Sequence, residues 1–370
     1  MSYQTKAAVL VAGMLAVSVA WMPQNASAQC SVIPPTQQTA LARPIPLGIS
    51  GGNIKSITKM KKVRGCFSGT LGSMVQDSSS NQYILSNNHV IADQNKARPG
   101  QLIVQPGLVD VQCAQSPSNE VATFSRAVKL KFDGKNTVDA AIAAVEPGMV
   151  SPQILFIGGI SSSVATAILA MPVRKMGRTS CVTNGAIQAL DANVKVNYSD
   201  TKKPKLVRFV NQILIIGNSG TPLFGAAGDS GSLILTNDSC PRAVALLFAG
   251  SSALTIANPI SDVLSGLGVS MVGSCNDGAA VSAQADVSAQ SEGLSAEAVE
   301  SAKAVRDQHE DELMSIPGAV GTGIAISDQP GQPAIEVYVE KMTPQAQAAA
   351  PQDVEGVPLK VIESGEFVAY

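Results

Sequence analysis

The sequence predicts a mainly β protein followed by a small α+β module. Three observations predict it. The chain has 370 residues, more than one small core requires. Between about residues 65 and 270, short apolar or alternating runs are broken by Gly, Asp-Gly and Ser/Asn turn signals, and aromatics make up only 4% of the chain. Beyond residue 294 a helical spacing gives way to strand-like runs.

Taken in order, the first 28 residues read as a secretory signal: Lys6, an apolar stretch from Ala7 to Ala20, and Ala26-Ser27-Ala28 as the cleavage site, so that mature numbering starts at Gln29. The apolar stretch is shorter than a membrane span needs. Trp21 leaves with the signal. Residues 29–62 form an N-terminal extension, rich in Pro and Gln and then basic at Lys55, Lys59, Lys61 and Lys62. From Gly65 the strand signals begin. Gly69 to Val75 alternates small and apolar residues, Asp77 to Asn81 is a hairpin loop, and Gln82 to Ser86 returns. Leu102-Ile103-Val104 ends at Pro106-Gly107, and Ala127 to Phe132 runs into the Asp133-Gly134 turn. Met149 to Met171 reads as a crossover. Further strands are expected at 173–177, 182–187, 194–198, 206–210, 233–235 and 243–248, then a helix at 261–267. Residues 276–293, rich in Ala, Ser, Gln and Gly, form a linker. The module over 294–370 has a helix at 294–314 opened by Ser295, strands at 318–326 and 334–339, a short helix at 343–350 and a strand at 357–362.

The chemistry concentrates at Gly228-Asp229-Ser230-Gly231-Ser232, followed directly by an apolar strand. Glycines allow a tight turn and close approach of a substrate. The amides of Gly228 and Ser230 can then converge as an oxyanion hole. Ser230 is a nucleophile only if a base takes its proton. The chain has two histidines. His309 stands in a charged stretch that reads as an exposed helix. His89 stands where the strand Gln82–Ser86 ends, a rigid place for a base. Asp139 is the single charge in Val138-Asp139-Ala140-Ala141-Ile142, and a buried carboxylate needs hydrogen-bond donors such as an imidazole N–H. Asp93, Asp110 and Asp133 lie in polar, turn-like surroundings and are weaker candidates.

Asn87-Asn88-His89-Val90, then Val138-Asp139-Ala140-Ala141, then Gly228-Asp229-Ser230-Gly231, in that order, resemble a trypsin-like serine peptidase of the chymotrypsin clan, bacterial secreted type. Tyr83 to Ser86, Gly177-Arg178-Thr179 and Leu246 to Ser251 extend the resemblance, which covers about Gly65 to Val269. It implies a chymotrypsin-like double β-barrel over residues 63–275, with His89 and Asp139 on the first barrel and Ser230 on the second. It further implies a secreted endopeptidase with catalytic His89, Asp139 and Ser230, and an oxyanion hole at Gly228 and Ser230. The implied substrate pocket comprises Phe224, Phe248, Ala249 and Gly250. The stretch before Ser230 has no acidic residue at 223–227, so the expectation is a small or apolar specificity and not Lys or Arg. An esterase with the same triad, or a non-catalytic peptide-binding scaffold, remains an alternative.

Six cysteines in an exported chain point to disulfides. One bridge near each barrel favours Cys66–Cys113 and Cys181–Cys240. With no C-x-x-C pair and few histidines, no metal is expected, and the triad needs no cofactor. A net charge of −2 gives no reason to expect nucleic acid, and the partner expected is a peptide or protein substrate, with no membrane after signal cleavage. Charge is split unevenly. Residues 29–275 carry 21 Lys and Arg against 12 Asp and Glu, whereas 276–370 carry 4 against 16. The acidic module is therefore expected either to dock on the basic barrel domain as an intramolecular regulator or to stand as an exposed tail domain whose charge serves solubility.

Overall fold

The alternation of apolar residues in the first half builds one curled sheet. In a computed structural model, which describes residues 35–60, 63–199, 205–218, 223–275, 294–329 and 331–370, its strand order is Ser270–Met271, Ser73–Gln76, Gln82–Ser86, Ala141–Ala144, Glu120–Ala127, Leu102–Val104, Ile49–Asn53 and Gly69–Leu71. The run Gly69–Val75, read from the sequence as one alternating stretch, falls on two strands, Gly69–Leu71 and Ser73–Gln76. It bends at Gly72, so that one half pairs with Gln82–Ser86 and the other with Ile49–Asn53, and this bend closes the barrel. Only glycine fits at the bend, because a Cβ on Gly72 would lie 2.0 Å from the carbonyl of Gly231. In the following hairpin, Asp77 accepts hydrogen bonds from Asn81, Ser79 and the Tyr83 hydroxyl, which hold its carboxyl down at about 2.

The barrel starts upstream of the expected boundary at residue 63. Ile45–Leu47 and Ile49–Asn53, assigned from their Pro-rich setting to the extension, are buried strands, and Ile49–Asn53 is a stave of the barrel. The crossover region also contains a strand, Val150–Ile154, parallel to Ile45–Leu47.

The second barrel closes through Pro172–Gly177, Cys181–Asn197, Leu206–Gly217, Thr255–Pro259, Ala243–Gly250 and Leu233–Thr236, the last returning to Pro172–Gly177. Two expected strands here, 182–187 and 194–198, are one 17-residue strand. Register shifts between Ile187 and Val194 interrupt its alternation and hide its continuity. Ile260, Val263 and Leu267 seat the following helix on the core at helical spacing, and Gly268 ends it in the left-handed conformation. The fold is mainly β, a chymotrypsin-like double barrel with a small α+β module after it.

The module continues the second barrel's sheet. Ala319–Ile326 pairs antiparallel with Cys181–Asn197, then come Pro333–Val339 and Val357–Glu363. Its helix Ala296–Gln308 starts at Ser295, whose side chain accepts from the Ala298 amide. From that helix the buried Arg306 donates through Nη1 to the Asp191 carbonyl at 2.7 Å, and Lys303 pairs with the Asp191 carboxylate at 3.4 Å. The signal segment, the linker 276–293 and Cys30 lie outside the described residues.

The disulfides correct one expectation. Cys66 pairs with Cys113, but Cys240 pairs with Cys275 and not with Cys181. Cys181 is itself disulfide-bonded. The segment that follows the terminal helix of the second barrel runs beside Ile160, whose carbonyl accepts from the Ser274 and Cys275 amides, while the adjoining Ser161 amide donates to the Pro241 carbonyl, and so Cys275 comes to Cys240. One bridge per barrel was too coarse a criterion to see this.

Candidate active site between the barrels

His89 sits on a four-residue helical turn, Asn88–Ile91, directly after the strand Gln82–Ser86. Asp139 lies just before the strand Ala141–Ala144, which pairs with Gln82–Ser86, so the sheet register brings the two residues together. The His89 Nδ1 is 2.6 Å from Asp139 Oδ2, and the His89 amide donates to Oδ1 at 3.2 Å. Asp139 is fully buried. Its backbone is held as well. Asn87 donates to the Asp139 carbonyl at 2.6 Å, and the Asp139 amide donates to Asn258 Oδ1 at 3.0 Å.

A further partner of Asp139 was not anticipated. Tyr198 reaches in from the second barrel's long strand and donates its hydroxyl to Asp139 Oδ2 at 2.5 Å. Its ring stands edge-on to the His89 imidazole, with centroids 5.8 Å apart. Burial, followed by the Asp139 charge, raises the Tyr198 phenol well above its ordinary range, so it is a donor throughout the working pH range. In the sequence Tyr198 is one more apolar position of a strand, and nothing local marks it. Because a hydrogen bond to a charged group is worth about 1.5–3 kcal/mol, or about tenfold or more in rate, Tyr198→Phe should lower kcat/KM by about tenfold. It should also move the acid limb of the pH profile upward, since an Asp139 with one donor fewer stabilises the imidazolium more strongly. A pH series on purified proteins lacking residues 368–370, with and without Tyr198→Phe, checks both.

Ser230 follows Gly228, whose φ of +97° places it in the left-handed region. A Cβ there would meet Thr179 Oγ1 at 2.5 Å. The turn is fixed from both barrels. Thr70 of the first barrel takes the Ser230 carbonyl on its amide at 2.7 Å and donates its hydroxyl to the Gly228 carbonyl at 3.1 Å. Among the described residues the amides of Gly228 and Ser230 have no acceptor, which leaves both open to an oxyanion. The Ser230 hydroxyl donates to the Phe248 carbonyl at 3.0 Å, and its side chain is covered.

Asp229 turns away from the cleft into the second barrel. There it meets Lys175, with Nζ 3.3 Å from Oδ2 and both side chains fully buried. The amides of Thr179, Ser180 and Ala226 and the Ser180 hydroxyl complete its shell. Burial lowers the Lys175 ammonium from its ordinary value, and the Asp229 carboxylate opposes that shift. The only sequence signal for Lys175 was a charge in the strand Val173–Gly177, indistinguishable there from a solvent-facing position.

The expected pocket residues divide. Gly250 lies directly against the Tyr370 side chain, and Phe224 belongs to the apolar cluster on which that side chain packs. Ala249 contributes backbone through its pairing in the cleft. The side chain of Phe248 points into the opposite cluster, against Phe209 at 4.6 Å, and this residue offers the cleft its carbonyl. His309 is far from this site and hydrogen-bonds Glu355 and Glu312. Asp110, the weaker carboxylate candidate, pairs with Arg178 and Ser50.

The cleft of about 730 Å³ between the barrels runs from Phe67 and Val109 past His89 and Gly228 to Tyr198 and Lys205. Burial would depress the His89 imidazolium, but the Asp139 charge, its hydrogen bond and the carbonyl of Tyr370 outweigh it and raise the pKa above its ordinary value. A base must be neutral to accept a proton. Asp139 supplies the larger share of that rise and stays in place when the Tyr370 carbonyl is withdrawn, so activity that depends on His89, measured on the chain lacking residues 368–370, should fall as pH is lowered through a value above about 6.5. A kcat/KM profile with its acid limb well below that value would contradict this.

The family model for the Nal1 C-terminal domain matches residues 150–257, which here form most of the second barrel and not the α+β module. No curated protein matches the chain. Among solved structures the neighbours are bacterial chymotrypsin-like serine proteases. Thermobifida fusca protease A is 17% identical, covers 62% of this chain and 99% of its own, and has a TM-score of 0.42. Nocardiopsis protease is 16% identical over 60% and 98%, with a TM-score of 0.39. Cellulomonas bogoriensis chymotrypsin is 18% identical over 60% and 98%, with a TM-score of 0.38.

Proposed function

We propose that the protein is a serine endopeptidase that works outside the cytoplasm. Ser230 attacks the scissile carbonyl, His89 takes its proton and returns it to the leaving amine, and Asp139 holds the imidazole in the Nδ1–H tautomer. The amides of Gly228 and Ser230 receive the developing oxyanion. The observation that carries this reading is the buried Asp139–His89 pair, with the Asp139 carboxylate on Nδ1, in a cleft that Gly228 of the Ser230 turn also lines; the Ser230 hydroxyl itself is bonded to the Phe248 carbonyl. Disulfides suit an oxidising compartment, and among the described residues no helix is long and apolar enough to cross a membrane.

The experiment compares matched peptide and ester substrates on the chain lacking residues 368–370, which frees His89 Nε2 of the Tyr370 carbonyl, and on the same chain with Ser230→Ala or His89→Ala. A peptidase should hydrolyse both substrates, and each replacement should remove all but a residual rate about 10³–10⁴-fold above water. Ester turnover without peptide turnover would make it an acyl hydrolase. Turnover of both that survives Ser230→Ala would overturn the assignment.

A further inference from the structure

The cleft already holds a peptide, and it is the chain's own. After the strand Val357–Glu363, Gly365 turns in the left-handed conformation (φ +78°), and the backbone enters the site. Phe367 is fully buried in the second barrel's aromatic cluster, its ring 6.1 Å from that of Tyr338, and anchors the three residues after it. Val368–Ala369 then lies as an extended strand. It pairs antiparallel with Ala249–Gly250 on one side and meets Asn197 on the other, where the Asn197 amide donates to the Phe367 carbonyl at 2.8 Å. The Tyr370 amide donates to the Phe248 carbonyl at 3.3 Å, the same carbonyl that accepts from the Ser230 hydroxyl. The Tyr370 carbonyl is 3.0 Å from His89 Nε2. This is strand addition, the way a sheet edge binds an extended peptide.

The side chain of Tyr370 shows what the first pocket accepts. Its ring packs against the cluster that includes Phe224 and Leu247, and its hydroxyl donates to the Ser251 carbonyl at 3.0 Å. A Cβ on Gly250 would stand 2.2 Å from that hydroxyl, so the space the ring uses exists because residue 250 is glycine. The seated strand also disables the base. His89 has the Asp139 carboxylate on Nδ1 and the Tyr370 carbonyl on Nε2. An acceptor on each ring nitrogen selects the doubly protonated imidazolium, which has no lone pair for the Ser230 proton.

From this geometry we propose that the cleft takes extended peptides with an aromatic residue in the Gly250 pocket, and that Val368–Tyr370 is a built-in competitor that keeps the site latent until it is displaced. The proposal deepens the peptidase reading and rests on it for the word latent, but the pocket and its occupant can be tested without turnover. Tethering makes a weak occupant sufficient, because a ligand on a short linker meets its site at an effective concentration on the order of millimolar.

Three proteins are compared: the full chain, a chain lacking Val368–Tyr370 that keeps the Phe367 anchor, and full-length Tyr370→Ala, which changes one side chain and protects against a folding failure of the deletion. Each is made with Ser230→Ala for binding and with Ser230 for labelling. The probes are two fluorescent peptides, Val-Ala-Tyr and Val-Ala-Arg, which match the residues removed and leave the Phe367 site to the protein's own anchor. The emptied cleft should bind the Tyr peptide at least about tenfold more tightly than the Arg peptide, and the full chain should bind neither at the same concentrations, as expected for an occupied site. Equal binding of both peptides by the deleted chain, or equal binding of the Tyr peptide by full and deleted chains, overturns the proposal. With Ser230 present, a fluorophosphonate should label the deleted chain and Tyr370→Ala faster than the full chain. Equal rates overturn the latency. Selective peptide binding with no labelling of any form leaves the pocket standing and removes the peptidase reading.

Discussion

Asp139→Asn should lower kcat by about four orders of magnitude while leaving the protein folded, the scale seen when a triad aspartate loses its charge but keeps its shape. Asp139 accepts from three donors: His89 Nδ1, the His89 amide and the Tyr198 hydroxyl. An asparagine keeps one acceptor oxygen and puts an NH₂ in the other position. His89 Nδ1 and the Tyr198 hydroxyl meet the same oxygen, Oδ2, while the His89 amide takes Oδ1, so with the asparagine oxygen on the His89 amide its NH₂ faces Nδ1, and the imidazole must place its proton on Nε2, the side from which Ser230 would be deprotonated. The volume change is small and the backbone bonds to Asn87 and Asn258 are untouched, so thermal unfolding should stay close to wild type. Steady-state rates on an aromatic peptide anilide, measured on the chain without Val368–Tyr370, check it. A loss smaller than about tenfold would mean that Asp139 is not what orients the base.

The second large effect concerns the turn beneath Ser230. Lys175→Met should destabilise the protein by about 3–5 kcal/mol, because it leaves the Asp229 charge buried without its cation. Three amides and a hydroxyl still hold the carboxylate, which favours the lower end of that range. Activity should fall further than stability alone accounts for, since Asp229 sits between the two residues whose amides face the oxyanion. Asp229→Asn added to Lys175→Met should recover part of the stability, because the unpaired charge is gone. Chemical denaturation of the single and double variants measures this. A single variant as stable as wild type would show that the ion pair is not needed to hold the turn.

How much could be read from the chain depends on how local each signal was. His89 and Ser230 were legible because the residue types are scarce or specially flanked: two histidines in all, and one serine set between glycines before an apolar strand. Asp139 stood out as a charge within an apolar run. Tyr198 and Lys175 were not legible. Each lies on a strand whose periodicity gives only a face, and their roles come from which barrel that face meets. The barrel's early start at Ile45 was masked by Pro and Gln around it, although each residue of Ile49–Asn53 is buried. The long strand Cys181–Asn197 was split because its register shifts break the two-residue alternation on which strand reading depends. The occupied cleft was the least accessible of all. Phe367 to Tyr370 is an ordinary short apolar run until the sheet carries it across to Gly250, and charge complementarity alone pointed to the module as a whole and not to these residues.

The most direct test of the central claim is to map the site of fluorophosphonate attachment by mass spectrometry in the chain lacking Val368–Tyr370. The arrangement of Ser230, His89 and Asp139 predicts a single adduct on Ser230, absent in Ser230→Ala and strongly slowed in His89→Ala. A folded, deleted chain that takes up no label, or takes it up on another residue with Ser230 intact, would contradict the account.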